Sequence, residues 1–162
     1  MQVNLSRDLA TGQDMARDRN KLPAELTDRI AAVAHQLADA ARIETLKLFR
    51  SPGLRPDNKA ASGFDPVTEA DRASERAMRA ILAHERPEDA ILGEEYGAQP
   101  GQSGLTWILD PIDGTRAFMS GAPSWGVLIG VNDAQGPIYG IIDQPHLDER
   151  FEGGFGRAVL TG

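Results

Sequence analysis

The sequence predicts an α+β fold in which helices are layered on a mostly antiparallel sheet. Two long segments with apolar residues at helical spacing come first in the chain. Short apolar runs separated by turn residues then fill the stretch from Leu105 onward. The order helix, helix, strand meander puts helices against a sheet whose neighbouring strands run in opposite directions. The chain has 162 residues, 41% of them hydrophobic, which is enough for one domain with a real core.

Residues 1–20 are polar and mixed in charge, and they are expected to form a flexible N-terminal extension. The α+β domain is expected over residues 21–162. Its first helix is predicted from Pro23 to Phe49, with Leu26, Ile30, Val33, Leu37 and Ala41 on one stripe. Pro23 suits the first turn, and Ser51-Pro52-Gly53 ends the run. His35 in this helix reads as a surface or packed histidine, because no second metal ligand lies near it in sequence. A loop from Pro56 to Phe64 carries Lys59, Ser62 and Gly63. The second helix is predicted from Thr68 to His84, with Val67, Ala70, Ala77, Met78 and Ile81 on its apolar side.

Ala90-Ile91-Leu92 reads as a short strand running into Gly93-Glu94-Glu95. Leu105 to Leu109 is nearly continuous in apolar character, which suits a strand buried on both sides. Val127–Val131 and Ile138–Ile142 read as an antiparallel pair around Asn132-Asp133-Ala134-Gln135-Gly136. Arg150–Glu152 and Ala158–Leu160 are two further short strands. Gly153-Gly154-Phe155-Gly156 between them is a hairpin rather than a dinucleotide loop, since no strand–helix unit surrounds it.

Composition narrows the function. The net charge is −7 with no basic stripe, which argues against nucleic acid as a partner. A small phosphorylated substrate stays compatible, because a bound divalent cation reverses the local field. The absence of cysteine excludes disulfides, zinc–thiolate sites and thiol nucleophiles. The apolar runs are too short for a membrane span, and the N-terminus lacks the apolar core of a signal peptide. The expectation is a cytoplasmic protein with no membrane partner.

The informative residues are carboxylates placed directly after apolar strands. Glu94 and Glu95 follow Ile91-Leu92, and Asp110 follows Trp107–Leu109, with Asp113 three residues on. Such a cluster is costly unless something positive compensates it. Magnesium ions, which take oxygen ligands, would do so. Asp110 and Asp113 then bracket a metal pair, with Asp110 bridging and the Ile112 carbonyl as a further oxygen. Gly114 permits close backbone approach, and Thr115 starts a helix whose free N–H groups suit a phosphate. Taken alone, Asp110-Pro111 and Asp113-Gly114 are also ordinary turn pairs, and Glu94-Glu95 an ordinary solvated loop. Thr68-Glu69-Ala70-Asp71 is close to a capping box, so Asp71 has a structural reading beside a catalytic one.

Three linked segments now carry a resemblance. Asp65-Pro66-Val67-Thr68-Glu69-Ala70-Asp71, Gly93-Glu94-Glu95 and Trp107-Ile108-Leu109-Asp110-Pro111-Ile112-Asp113-Gly114-Thr115 resemble the signature series of inositol-monophosphatase-like phosphatases. The likeness covers roughly residues 24–162. It implies the N-terminal half of the inositol-monophosphatase/fructose-bisphosphatase-like fold. It also implies roles for these residues. Glu94, Asp110 and the Ile112 carbonyl resemble ligands of a first metal, and Asp110 and Asp113 those of a second. Asp71 and Thr115 resemble the pair that orients or deprotonates the attacking water. The N–H groups of Gly114 and Thr115, beside Asp113, resemble phosphate binders. Glu95 resembles a supporting glutamate, Lys59 a loop lysine near the active site, and Arg116 a structural or substrate-side charge. The implied cofactor is two or three Mg2+ ions, with Mn2+ as a substitute, and the implied assembly is a homodimer.

Arg116-Ala117-Phe118-Met119-Ser120-Gly121-Ala122-Pro123-Ser124-Trp125-Gly126 and Gly140-Ile141-Ile142-Asp143-Gln144-Pro145 resemble the histidinol-phosphate phosphatases of this superfamily. The implied reaction is hydrolysis of histidinol phosphate to histidinol, in histidine biosynthesis, by metal-activated water. An inositol monophosphatase, or another sugar or nucleotide phosphatase of the family, is the alternative. Phe118 and Trp125 are expected in the core rather than stacked on substrate. Full-length relatives continue into a C-terminal α/β region with a Trp-Asp motif, and no Trp-Asp pair occurs here. His146, Asp148 and Glu149, in an expected hairpin turn, are poor substitutes. A truncated, non-catalytic metal-binding or dimerising remnant is therefore the third reading.

Overall fold

The computed structural model describes residues 22–52, 54, 57–58 and 66–162. The expected N-terminal extension and Lys59 lie outside these described residues. Helix α1 (Ala24–Leu48) buries Ile30, Ala31, Val33, Ala34, Leu37, Ala38, Ala41 and Thr45, which widens the predicted stripe with alanines. Those small residues let a second helix approach. That helix is α2 (Glu69–Glu85), which begins at the predicted cap: Thr68 and Asp71 form a reciprocal capping box. The loop between the helices contributes a two-stranded ribbon, β1 (Asp57–Asn58) with β2 (Pro66–Val67).

The remaining strands form one sheet: β3 (Ala90–Gly93), β4 (Gly97–Gln99), β5 (Thr106–Asp113), β6 (Gly126–Asp133), β7 (Gly136–Gln144), β8 (Glu149–Gly154) and β9 (Arg157–Thr161). The order across the sheet is β4-β3-β5-β6-β7-β8-β9. Every pairing is antiparallel except β3 with β5, which is parallel. A six-residue helix, α3 (Thr115–Ser120), connects β5 to β6.

Cross-strand register explains where the core sits. Trp107 faces Val131 and Val131 faces Tyr139, while Leu109 faces Ile129 and Ile129 faces Ile141. These side chains share one face of the sheet and pack with Met78 and Leu82 of α2 and the buried stripe of α1. A smaller cluster of Ala70, Ile112, Phe118 and Trp125 closes the end of the sheet near α3, with Phe49 against both rings. Phe118 and Trp125 are core residues, as expected.

The other sheet face corrects one expectation. The strand around Trp107 is not buried on both sides: Trp107 and Leu109 are buried, and Ile108 between them is only half-buried. Gly130, Gly140 and Gly153 stand opposite Ile108 across successive strands, flanked by Leu128, Ile142 and Phe151. They floor an open groove of about 700 Å³ that reaches Asp110. No described helix is long and apolar enough to cross a membrane.

Candidate active site

The parallel pairing of β3 with β5 builds the site. Because the two strands run the same way, both end at the same edge of the sheet. Gly93 is in register with Leu109, and the Glu94 N–H donates to the Leu109 carbonyl at 3.0 Å. Glu94 therefore leaves β3 directly beside Asp110.

Asp110 and Asp113 need a second device. In a regular strand, residues three apart point to opposite faces. Here Asp110 pairs with Leu128 and Asp113 with Gly126, so three steps along β5 match two along β6. That one-residue bulge brings both carboxylates to one side. Pro111 is tolerated there because a bulge leaves an N–H without a ladder partner. Pro111 and Ile112 are consecutive buried residues, which a regular alternating strand would not give. What the sequence suggested as a turn after the strand is the strand itself, continuing with a bulge.

The electrostatics follow from this crowding. Burial, a hydrogen bond with the Glu94 carboxyl, and the negative charges of Glu94 and Asp113 push the Asp110 carboxyl up to about 8. Asp110 Oδ1 is buried and finds no hydrogen-bond partner among the described residues. All the candidate donors are oxygens: the carboxylates of Glu94, Asp110 and Asp113, and the Ile112 carbonyl. Such a set suits a hard divalent cation, which would also satisfy the orphaned oxygen. Among the described residues, no three or more His, Asp or Glu side chains are already disposed around one point as ligands. The Glu94 carboxyl lies against Asp110 instead.

Gly114 follows at φ 86°, and a Cβ there would lie 3.0 Å from the Ser124 carbonyl. Glycine is required on both counts. Thr115 then opens α3, with its hydroxyl donating to the Ile112 carbonyl at 3.2 Å. At the start of α2, Asp71 is buried and its Oδ2 accepts both the Thr68 N–H at 2.8 Å and the Thr68 hydroxyl at 2.6 Å. The capping reading of Asp71 is thus realised. Ala70 next to it packs with Ile112 and Phe118, which brings the start of α2 against the end of β5. The start of α2, with Asp71, thus lies near the start of α3, with Thr115.

The other predicted residues are placed less centrally. Glu95 is half-buried, and its N–H is held by Glu75. Arg116 is exposed on α3. His35 is part of an ion-pair network, 2.7 Å from Glu152 and 2.9 Å from Arg150. His146, Asp148 and Glu149 fall at the β7–β8 turn, where Asp148 pairs with Arg42. Glu75 was not singled out from the sequence. An acidic residue on a charged helix carries no local sign of burial; only its i, i+4 spacing from Asp71 could have suggested it.

A model of the inositol monophosphatase family matches residues 26–159. The chain belongs to the inositol monophosphatase family. Among family relatives, it is 42% identical to the chloroplastic bifunctional phosphatase IMPL2 of Arabidopsis thaliana over 144 residues. That alignment covers 85% of this chain and 41% of the relative. It is 41% identical to the histidinol-phosphatase of Mycobacterium tuberculosis over 129 residues, 80% of this chain and 49% of the other. In solved structures, the fold matches the suhB protein of Bartonella henselae with TM-score 0.74 at 30% identity. That match covers 82% of this chain and 51% of that one. An inositol monophosphatase from Zymomonas mobilis gives TM-score 0.68 at 44% identity, covering 87% and 53%. These family folds agree with the predicted α+β class. The chain spans about half the length of the curated relatives it matches.

Proposed function

We propose that the chain carries the carboxylate centre of a Mg2+-dependent phosphomonoesterase that hydrolyses histidinol phosphate to histidinol. The observation behind this reading is the convergence of Glu94, Asp110 and Asp113 through a parallel strand pair and a bulge. The histidinol-phosphatase relatives support the substrate. Glu94, Asp110 and the Ile112 carbonyl would hold one ion, and Asp110 with Asp113 a second, with Mn2+ able to substitute for Mg2+. When bound, such ions supply Lewis-acid polarisation of the phosphoryl oxygens and acidify a ligand water.

The chain's own residues do the rest. The N–H groups of Gly114 and Thr115 lie in the first turn of α3, where they have no intrahelical partner and can bind phosphate oxygens. The Thr115 hydroxyl donates a hydrogen bond to the Ile112 carbonyl, so its lone pairs can accept a hydrogen bond from water and orient it. Asp71, fixed by its two bonds from Thr68, is the group that accepts the proton. Water adds to phosphorus as Asp71 takes its proton, the P–O bond to the alcohol breaks, and the leaving oxygen takes a proton from solvent water, giving the free alcohol and inorganic phosphate.

The 44% identity to an inositol monophosphatase favours inositol 1-phosphate as the second reading. Phosphate release from the two compounds, with Mg2+ and with Asp110→Asn as control, separates them. Faster release from histidinol phosphate that the substitution abolishes is expected. Preference for inositol 1-phosphate would overturn the substrate. No release from either by folded protein would favour a non-catalytic chain.

A further inference from the structure

The Glu75 side chain is fully buried in the middle of α2. Its Oε2 accepts the Glu95 N–H at 2.7 Å, and its Oε1 accepts the Tyr96 N–H at 3.2 Å and Arg79 Nε at 2.8 Å. Arg79 also donates to the Gly97 carbonyl. A buried ion pair is a weak source of stability, and an apolar side chain of similar volume would do as well. What the pair does hold is specific: the backbone of the turn that presents Glu94.

Glu94 is clamped from two sides. Its own N–H is bound to the Leu109 carbonyl of β5 at 3.0 Å, and the next two N–H groups are bound to Glu75. Gly93 makes room for this. A Cβ at Gly93 would lie 1.9 Å from Glu75 Oε1 and 2.8 Å from Arg79 Nη2. Glu75 also stands one helical turn after Asp71, so both buried carboxylates share a face of α2. One rigid helix thereby sets Asp71 directly and Glu94 through the turn.

We propose that Glu75 is a positioning residue for the cation centre, fixing the Glu94-Glu95-Tyr96 backbone so that the Glu94 carboxyl meets Asp110. The proposal rests on reading Glu94 and Asp110 as cation donors. Glu75 touches neither the cation nor the substrate. It acts through two backbone N–H groups, as outer partners of metal ligands commonly do.

Glu75→Gln tests this. The amide keeps the size but loses the charge facing Arg79, and its NH2 group meets a donor on one side. Mn2+ affinity is read by the paramagnetic resonance signal of free Mn2+ during titration of the 162-residue chain. Wild type is compared with Glu75→Gln, Asp110→Asn and Met78→Ala, the last removing buried volume from the same helix at a residue of the main hydrophobic core. Glu75→Gln is expected to weaken Mn2+ binding about 10- to 100-fold. It should also speed amide exchange at Glu95 and Tyr96. Met78→Ala should lower the melting temperature without either effect. Unchanged Mn2+ affinity in Glu75→Gln, or an equal loss in Met78→Ala, would overturn the positioning role while leaving the centre intact. Wild-type binding that is absent, or that Asp110→Asn does not reduce, would overturn the centre and this role with it.

Discussion

At Asp110 a half-buried carboxyl lies against Glu94, in the field of Asp113, with one oxygen that no described residue satisfies. Without a cation this arrangement opposes folding, since like charges are held close in a partly dry setting. Asp110→Asn replaces a carboxyl whose ionised form is disfavoured with a neutral amide that can donate to Glu94. The melting temperature in chelator is therefore expected to rise relative to wild type, and a fall would contradict the crowding. Asp89 is the opposite case. Burial would raise its carboxyl, but bonds from Arg86, Ser103 and Trp107 outweigh burial and hold it below the usual carboxylate range. A depressed folded value stabilises above the unfolded value of about 3.9, and that contribution is lost as pH falls through the folded value. Asp89→Asn should cost about 2–3 kcal/mol near neutral pH and flatten the acid limb of the stability curve. Denaturant midpoints across pH measure both. Asp110 and Asp113 were legible in the sequence because turn residues surround them and an apolar strand precedes them. Glu75, Asp89 and Asp143 were not, because a buried carboxylate is defined by partners far away in sequence.

The helices were legible as elements because their apolar periodicity spans several turns, and Thr68 to Asp71 marked a start that the structure realises. The hairpins β6–β7 and β8–β9 were legible from alternation and glycine-bearing turns. The short edge strand β4, the parallel direction of β3 and the bulge in β5 were not. Strand direction depends on how the chain returns, and a bulge appears only when two registers are compared. The site depends on those two features, so its residues were readable but not the reason they meet. A further joint ties α1 to β7 and β8. Fully buried Asp143 accepts Arg42 at 2.8 and 3.1 Å and Arg150 at 2.7 Å. Removing the carboxylate leaves two largely buried guanidinium groups facing each other. Asp143→Ala is expected to destabilise by about 3–5 kcal/mol in urea. A loss below about 1 kcal/mol, the range of an exposed pair, would show that this joint does not fasten the layers.

Over the whole molecule, the two faces of the sheet differ. The inner face is closed by α1 and α2, while Ile142, Phe151 and Leu160 stand exposed on the successive strands β7, β8 and β9, and Leu92 on β3 is also exposed. A contiguous apolar surface of this kind binds hydrophobic dyes and promotes association. Ile142→Thr combined with Leu160→Thr should lower dye fluorescence while leaving the melting temperature nearly unchanged. Unaltered fluorescence would place the sticky surface elsewhere. The groove on this face reaches Asp110, so the open surface and the carboxylate centre adjoin. Carboxylates at the ends of β3 and β5 are proposed to form a divalent-cation centre. Calorimetric titration of Mg2+ into the chain near neutral pH, with and without Asp110→Asn, tests it most directly. Saturable binding in wild type that the substitution abolishes is expected. Folded wild-type protein that takes up no Mg2+, or undiminished binding in Asp110→Asn, would contradict it.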